Sequence, residues 1–324
     1  MRKKNEYSII ILSKDVDILK EVLIIHNPNS GKKKNVYQAL LKSKKLFDKY
    51  NYHVTYKETK YKGHAKQIMK SINNVDLVIS VGGDGTFNEI VSGNIERKNP
   101  VVLSHIPVGT TNDLKSLFGL GKDIYKNISS ILSGKEKQID ICLLNNQPFV
   151  YVAGFGKFIN LSYETPRSKK SKFGYLAYLV EGFKDIFRKV HMYDLEFIID
   201  GVKHSGKYSL GIISNANKIA GIKNFYKDVK LDDNTFEVLF CSISKRRKLL
   251  RSLVNLGLYD ITKVNGVEMY RTNNIKIIFK DRLKQAWTFD GEKYRKKEKI
   301  YNISLNNKIK FRISSKACEK NCIK

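Results

Sequence analysis

From residue 21 the chain alternates short β-branched apolar runs with stretches whose apolar residues recur every three to four positions. The run "EVLIIHN" reads as a buried strand, followed by "PNSGKK" as a turn and a helix continuing to about Tyr50. "YHVTYKET" has the alternation of a strand. "GHAKQIMKSI" has the period of a helix with Ile68, Met69 and Ile72 on one face. "VDLVISV" is a strand apolar on both sides, "TFNEIVSGN" opens a helix, and "PVVLSHIPV" is a strand that runs into "GTTNDL". Strands alternating with helices predict a parallel sheet covered on both faces. Such sheets bind ligands beyond the C-terminal ends of their strands, where the glycine-bearing turns of this half all fall.

After about Asp140 the texture changes. "QIDICLLNNQPFVYVAGFG" reads as two strands joined by "NNQP", and "DLEFIIDGVKHSGKYSLGIISNA" as a hairpin with a tight Asp200-Gly201 turn. "FEVLFCSI" and "NIKIIF" add strands. This half is expected to be antiparallel, with a helical insertion at about 173–188. The closing "YNISLNNKIKFRI" is strand-like and fits either half. The length of 324 residues suits two domains, and a hydrophobic share of 42% supports a proper core in each.

Composition narrows the setting. No run approaches the ~18–20 apolar residues of a bilayer span. The basic opening "MRKKNEYSIIILSKDVD" carries an apolar run too short for a secretory signal, without a small-residue cleavage site after it. A soluble, cytoplasmic protein is the expectation. Of the cysteines Cys142, Cys241, Cys318 and Cys322, only the last two are close, and without a second ligand pair they do not make a zinc site. Thiols this sparse suit a reducing compartment. The formal charge of +29 attracts polyanions: nucleotides, nucleic acid or an anionic membrane face. The lysines are spread along the whole chain, so compositional drift accounts for the charge as well.

Four stretches carry candidate chemistry. "GGDGT" follows a buried strand and opens a helix, as a tight turn does, and equally as a phosphate cradle does. Glycine lets the backbone approach a ligand, and a helix N-terminus attracts an anion. Asp84 is out of place beside bare phosphate, but in place if Mg²⁺ lies between. "NPNSG" at 27–31 offers Asn27, Ser30 and Gly31, as an ordinary turn also would. "PVGTTNDL" offers Thr110, Thr111 and Asn112, with Asn112 equally suited to capping a helix. "WTFDGEKY" puts Asp290 and Glu292 on either side of a glycine, in a hairpin turn or as a proton acceptor in a cleft. Three polar, glycine-bearing turns on one sheet edge are less readily coincidental than one.

In this order, "NPNSG", "GGDGT", "PVGTTND" and "DGE" resemble the diacylglycerol kinase catalytic domain, and in particular the soluble bacterial lipid kinases of the diacylglycerol kinase B and YegS-like group. The resemblance covers residues 20 to 310 or so. It implies a Rossmann-like three-layer α/β nucleotide domain at 20–138 and an antiparallel β-sandwich lipid-binding domain at 139–295. Residues 296–324 would return to the first domain, and the active site would lie in the interdomain cleft. It implies ATP contacts at Asn27, Pro28, Asn29, Ser30, Gly31, Thr59, Gly82, Gly83, Asp84, Gly85, Thr86, Phe87, Asn88, Glu89 and Thr110. Glu292 matches the general base, with Asp290 beside it, while Asp84 and Asp140 match the carboxylates around catalytic Mg²⁺. "DVKLDDNTFEV" resembles a structural magnesium loop at Lys230, Asp233 and Thr235, departing from the pattern with Asn234 where glycine is usual. Asn tolerates the left-handed backbone, so the departure is mild.

What the resemblance implies is transfer of the γ-phosphoryl group of ATP, with Mg²⁺, to a lipid hydroxyl at the membrane surface. Diacylglycerol is the expected acceptor, with phosphatidylglycerol or a sphingoid base as alternatives. The enzyme would sit in the cytoplasm against the inner face of the membrane, and a homodimer is compatible with it. "SKRRKLLRSLVNLGL" at 244–258 could lie on such a surface, or pack its leucines against the sheets. NAD kinases share "GGDGT" on a related fold, but their companion "NE…D" arrangement is not evident here. A basic nucleotide- or nucleic-acid-binding protein would leave four ordered phosphate-site motifs unexplained, so no nucleic-acid partner is expected.

Overall fold

The computed structural model describes residues 19–31, 33–109, 113–115, 118–156, 190–215, 229–245, 248, 264–283, 287–290, 292–294, 296–306 and 309–323. The expected insertion at 173–188, Thr110 to Asn112 and most of the basic segment at 244–258 lie outside these residues. Among the described residues no helix is long and apolar enough to cross a membrane.

The first half is built from β1 (Lys20–His26), α1 (Lys33–Lys42), α2 (Lys44–Lys49), β2 (Tyr52–Glu58), α3 (His64–Ser71), β3 (Leu77–Gly82), α4 (Asp84–Ile95), β4 (Val102–Pro107), α5 (Ile124–Leu132) and β5 (Lys135–Gln138). β1 runs parallel to β2 and to β3, and β3 runs parallel to β4. Val22 to Ile25 and Leu77 to Ile79 are buried throughout, as expected for strands covered on both faces. β2 is the sheet edge and is largely open to solvent, with Thr55 to Glu58 all exposed. The helix expected through Tyr50 is two helices. Ser43 donates its hydroxyl to the Ala39 carbonyl at 2.7 Å, competing with the helical ladder where the first helix ends.

The second half holds β6 (Ile141–Leu144), β7 (Gln147–Phe149), β8 (Val152–Gly156), β9 (Tyr193–Ile199), β10 (Val202–Tyr208), β11 (Leu210–Ser214), β12 (Phe236–Cys241), β13 (Val267–Thr272), β14 (Asn274–Phe279), β15 (Thr288–Phe289), β16 (Glu292–Lys293) and β17 (Ile300–Asn306). They form two six-stranded antiparallel sheets, ordered β10-β9-β14-β17-β6-β7 and β13-β12-β11-β8-β15-β16. Both bury side chains in one apolar cluster: Phe197, Phe279 and Tyr301 from the first sheet, Phe155 and Phe240 from the second, joined by Trp287 just before β15. Phe155 meets Phe279 edge-on at 4.9 Å, and Trp287 lies 5.2 Å from Tyr301. Rings of this size each contribute about 1.5–3 kcal/mol on burial.

"QIDICLLNNQPFVYVAGFG" holds three strands rather than two. Asn145 and Asn146, both at positive φ, turn β6 into the short β7, and β8 then joins the other sheet. The chain closes with β18 (Lys310–Ile313) and α6 (Ser315–Asn321). β17 belongs to an antiparallel sheet, whereas β18 enters the parallel sheet between β4 and β5. Among the described residues this is a mixed α/β protein with three sheets.

Inside the parallel sheet, His105 of β4 has no exposed surface and stacks on Phe87 of α4 at 4.5 Å. Burial holds its pKa down to about 3, against an ordinary 6.5. Below pH 6.5 the unfolded chain takes up a proton that the fold refuses, so this group costs stability as pH falls from 6.5 toward 3. His105→Phe keeps the stacking and removes the titration. It is expected to lose roughly 3 kcal/mol less than wild type between pH 7 and pH 4, at about 1.4 kcal/mol per unit. Urea midpoints at both pH values test this, and equal acid losses in the two proteins would refute it.

Candidate active site

Three turns end at one level of the parallel sheet because the ladder continues into them. Asn27 N donates to Val81 O at 2.9 Å, Thr59 N to His26 O at 2.8 Å, and Val108 N to Gly82 O at 2.9 Å. In the first turn the Asn27 carboxamide oxygen accepts from Asn29 N, and its Nδ2 donates to Thr86 Oγ1 at 2.9 Å, joining "NPNSG" to "GGDGT". Gly31 turns back at φ +72°, where a Cβ would lie 2.8 Å from Val108 O, so both strain and crowding demand glycine. Gly83, by contrast, is extended, and its missing Cβ would lie 4.0 Å from Ser30 Oγ and 3.8 Å from Gly109 Cα. The turns "NPNSG", "GGDGT" and "PVG" thus come together at this point.

α4 starts there. Gly83 is its N-cap and offers no side chain to cap it, while Asp84 stands in the first turn. The first backbone N–H groups of a helix lack intrahelical partners, so this end suits an anion. Among the expected ATP contacts, Asn27, Ser30, Gly31, Gly83, Asp84 and Thr86 gather at this edge, with Thr59 at the end of neighbouring β2. Phe87 instead packs in the core, and Glu89 accepts from Gly63 N at 2.8 Å to tether the loop before α3.

One turn after Asp84, Asn88 reaches the second half. Its Nδ2 donates to Asp290 Oδ2 at 2.9 Å and to Pro148 O at 3.1 Å. Asp290 is 8% exposed and also accepts from Val150 N at 2.8 Å, Tyr151 N at 2.8 Å and Val152 N at 3.0 Å. Burial raises its pKa, and these four donors pull it back. Its backbone is left-handed at φ +44°, as the first residue of an Asp-Gly hairpin turn favours. Beyond it, Glu292 pairs with Phe289 in the β15–β16 hairpin, which fixes the Glu292 backbone; its side chain lies outside the described atoms.

Asp140 is held elsewhere. Its Oδ2 accepts from Asn234 N at 2.7 Å, its carbonyl from Asn215 Nδ2, and its N–H donates to Leu231 O. It therefore packs on the loop of Lys230, Asp233 and Thr235. Burial, with Asp233 and Asp232 adding repulsion, raises its pKa to about 6 against the pull of the Asn234 N–H. Asn234 adopts φ +58°, the left-handed conformation the glycine of the pattern would take. Asp233 Oδ1 accepts from Thr235 N and Oγ1, closing the loop on itself. Carbonyls and a carboxylate suit a hard cation, so this loop fits Mg²⁺ in its chemistry. Among the described residues, no three His, Cys, Asp or Glu side chains cluster in a way that would hold a metal unaided.

Two features escaped the sequence reading. Glu237 lies buried in β12, paired with Arg271 at 3.1 Å, and burial raises its pKa to about 7. A glutamate inside "FEVLFC" was the available signal. The C-terminal tail binds the 230–233 loop through Leu231 N to Asn321 O at 2.8 Å and Ile323 N to Asp232 Oδ1 at 2.6 Å. No spacing in the sequence signals that contact.

Known proteins resemble this chain over most of its length. Residues 21–144 match the family model described as diacylglycerol kinase catalytic domain. The chain is 31% identical over 239 residues to a diacylglycerol kinase of Bacillus subtilis (strain 168), covering 72% of this chain and 77% of that one. It is 34% identical over 233 residues to a diacylglycerol kinase of Staphylococcus aureus (strain Newman), covering 71% and 73%. A crystal structure of a diacylglycerol kinase from Bacillus anthracis str. Sterne superposes with a TM-score of 0.72 at 21% identity, covering 91% of this chain and 97% of that one, and supports the fold.

Proposed function

Because this chain belongs to the diacylglycerol kinase catalytic-domain family and is a lipid kinase, we propose that it transfers the γ-phosphoryl group of ATP to diacylglycerol, giving phosphatidic acid. The observation that carries this reading is the meeting of Ser30, Gly83 and Gly109, from three strand-end turns, at the N-terminus of α4. We read the fold as a Rossmann-like three-layer domain at 20–138 and an antiparallel sandwich at 139–295, with residues 296–324 leading back to the first domain and the site in the cleft between.

In this mechanism Asn27, Ser30 and the 82–85 backbone hold the nucleotide phosphates, with Thr59 and Thr110 on the flanks. Asp84 would hold Mg²⁺, which when bound neutralises charge on the phosphate oxygens. Glu292 takes the proton of the lipid hydroxyl as its oxygen bonds to the γ-phosphorus and the bridge to ADP breaks. Asp290 already accepts four protein donors, so its role here is to hold the turn that carries Glu292. The Lys230, Asp233 and Thr235 loop would hold a second, structural Mg²⁺, with Asp140 supporting it. The lipid is met at the inner membrane face, where the basic segment at 244–258 and the overall charge of +29 favour anionic headgroups.

The test is to incubate the purified chain with labelled ATP, Mg²⁺ and micelles of diacylglycerol, phosphatidylglycerol or a sphingoid base. Diacylglycerol is expected to be phosphorylated fastest, and EDTA to stop the reaction. Faster labelling of another lipid alcohol would move the acceptor assignment. Labelling of NAD with no lipid product would overturn the reading.

A further inference from the structure

We infer that Asn88 is a positioning residue which, by gripping Asp290, sets where the 290–292 turn stands relative to the start of α4. The inference rests on the lipid-kinase reading above and adds the device that aligns the two halves of that site.

Asn88 lies four residues after Asp84 and so on the same face of α4, one turn further in. Its one amide group spans three elements, since one N–H₂ donates both to Pro148 O of β7 and to Asp290 Oδ2 of the hairpin turn. Asp290 is in turn fixed from the other side. Both its oxygens are saturated, Oδ1 by Tyr151 N and Val152 N, Oδ2 by Val150 N and Asn88. A carboxylate with no lone pair left over does not collect a substrate proton; it holds a shape. The shape is left-handed at Asp290, the conformation an Asp-Gly hairpin turn favours, and the carboxylate ties that turn to its neighbours. Two residues later Glu292 is locked opposite Phe289, whose buried ring stacks on Tyr294 at 4.8 Å. A short rigid path thus runs from Asp84 through one helical turn, one amide and one carboxylate to Glu292. A displacement of about 1 Å in such an arrangement costs roughly 100-fold in rate.

Two variants test this: Asn88→Ala and Asn88→Asp. Asn88→Ala is expected to lower kcat roughly 30- to 100-fold while KM for ATP stays within about twofold. Asn88→Asp sets carboxylate against carboxylate and is expected to be slower still. A kcat for Asn88→Ala within about threefold of wild type would overturn the inference. So would weakened ATP binding at unchanged kcat, which would make Asn88 an ordinary nucleotide contact. Amide exchange at Val150 to Val152, followed by mass spectrometry, reads the grip without turnover. It is expected to quicken about tenfold in Asn88→Ala. Unchanged exchange overturns the inference whatever the activity, whereas a wild-type protein that phosphorylates no lipid overturns the lipid-kinase reading instead.

Discussion

Glu292→Gln is expected to lower kcat by about three orders of magnitude, within the 10²–10⁴ range that general-base removal typically costs, with ATP affinity unchanged. The substitution keeps size and hydrogen-bonding shape but removes the only feature the proposed step needs, a lone pair that can take a proton. The hairpin will not mask the effect by rearranging. Glu292 is paired with Phe289, β15 is paired with β8, and Asp290 N donates to Val152 O at 2.9 Å. Nor can Asp290 substitute as the base, since its oxygens are occupied. Steady-state kinetics with diacylglycerol, alongside nucleotide binding followed by fluorescence, separates the two effects. Turnover within tenfold of wild type would remove Glu292 from the mechanism.

Asp290→Ala is expected to act on stability first. It strands the N–H groups of Val150, Tyr151 and Val152, of which Val150 and Tyr151 are buried, and frees the Asn88 amide. An orphaned buried donor costs about 1–3 kcal/mol. Water entering the vacated space relieves part of that, so the net loss is about 3–6 kcal/mol. Set against a typical total of 5–15 kcal/mol, this is enough to unfold a large fraction of the protein at moderate urea. Urea titration with a fixed m-value measures it. A midpoint near that of wild type would mean that the carboxylate is not holding these amides.

The parallel sheet was legible because its strands are buried on both faces and show it as unbroken apolar runs, Val22 to Ile25 and Leu77 to Ile79 among them. The edge of that sheet was legible too, since glycine-bearing turns must follow such strands. Shorter elements were not. β7 has three residues, too few to display a period, and the break at Ser43 depends on one hydroxyl choosing a carbonyl. At the site, sequence could pair Asp290 with Glu292 as acids but could not see that the first is buried among donors. The resemblance marks Asn88 as an ATP-binding position, whereas its hydrogen bonds to Pro148 and to Asp290, 202 positions away, have no signal in the sequence. Asp140 read as a companion of Asp84 by motif, and the contacts that hold it come from the 230–235 loop.

The placement of β18 bears on how the protein is made. This strand, at Lys310–Ile313, fits between β4 and β5, so a ribosome releases β4 roughly two hundred residues before the strand that will lie against it. At about 5–20 residues per second that interval is roughly 10–40 s. Throughout it the nascent first half presents an open, apolar strand edge at β4, the kind of surface to which chaperones and other nascent chains bind. Synthesis therefore passes Lys310 before the first sheet can close, and the two halves mature together rather than in turn.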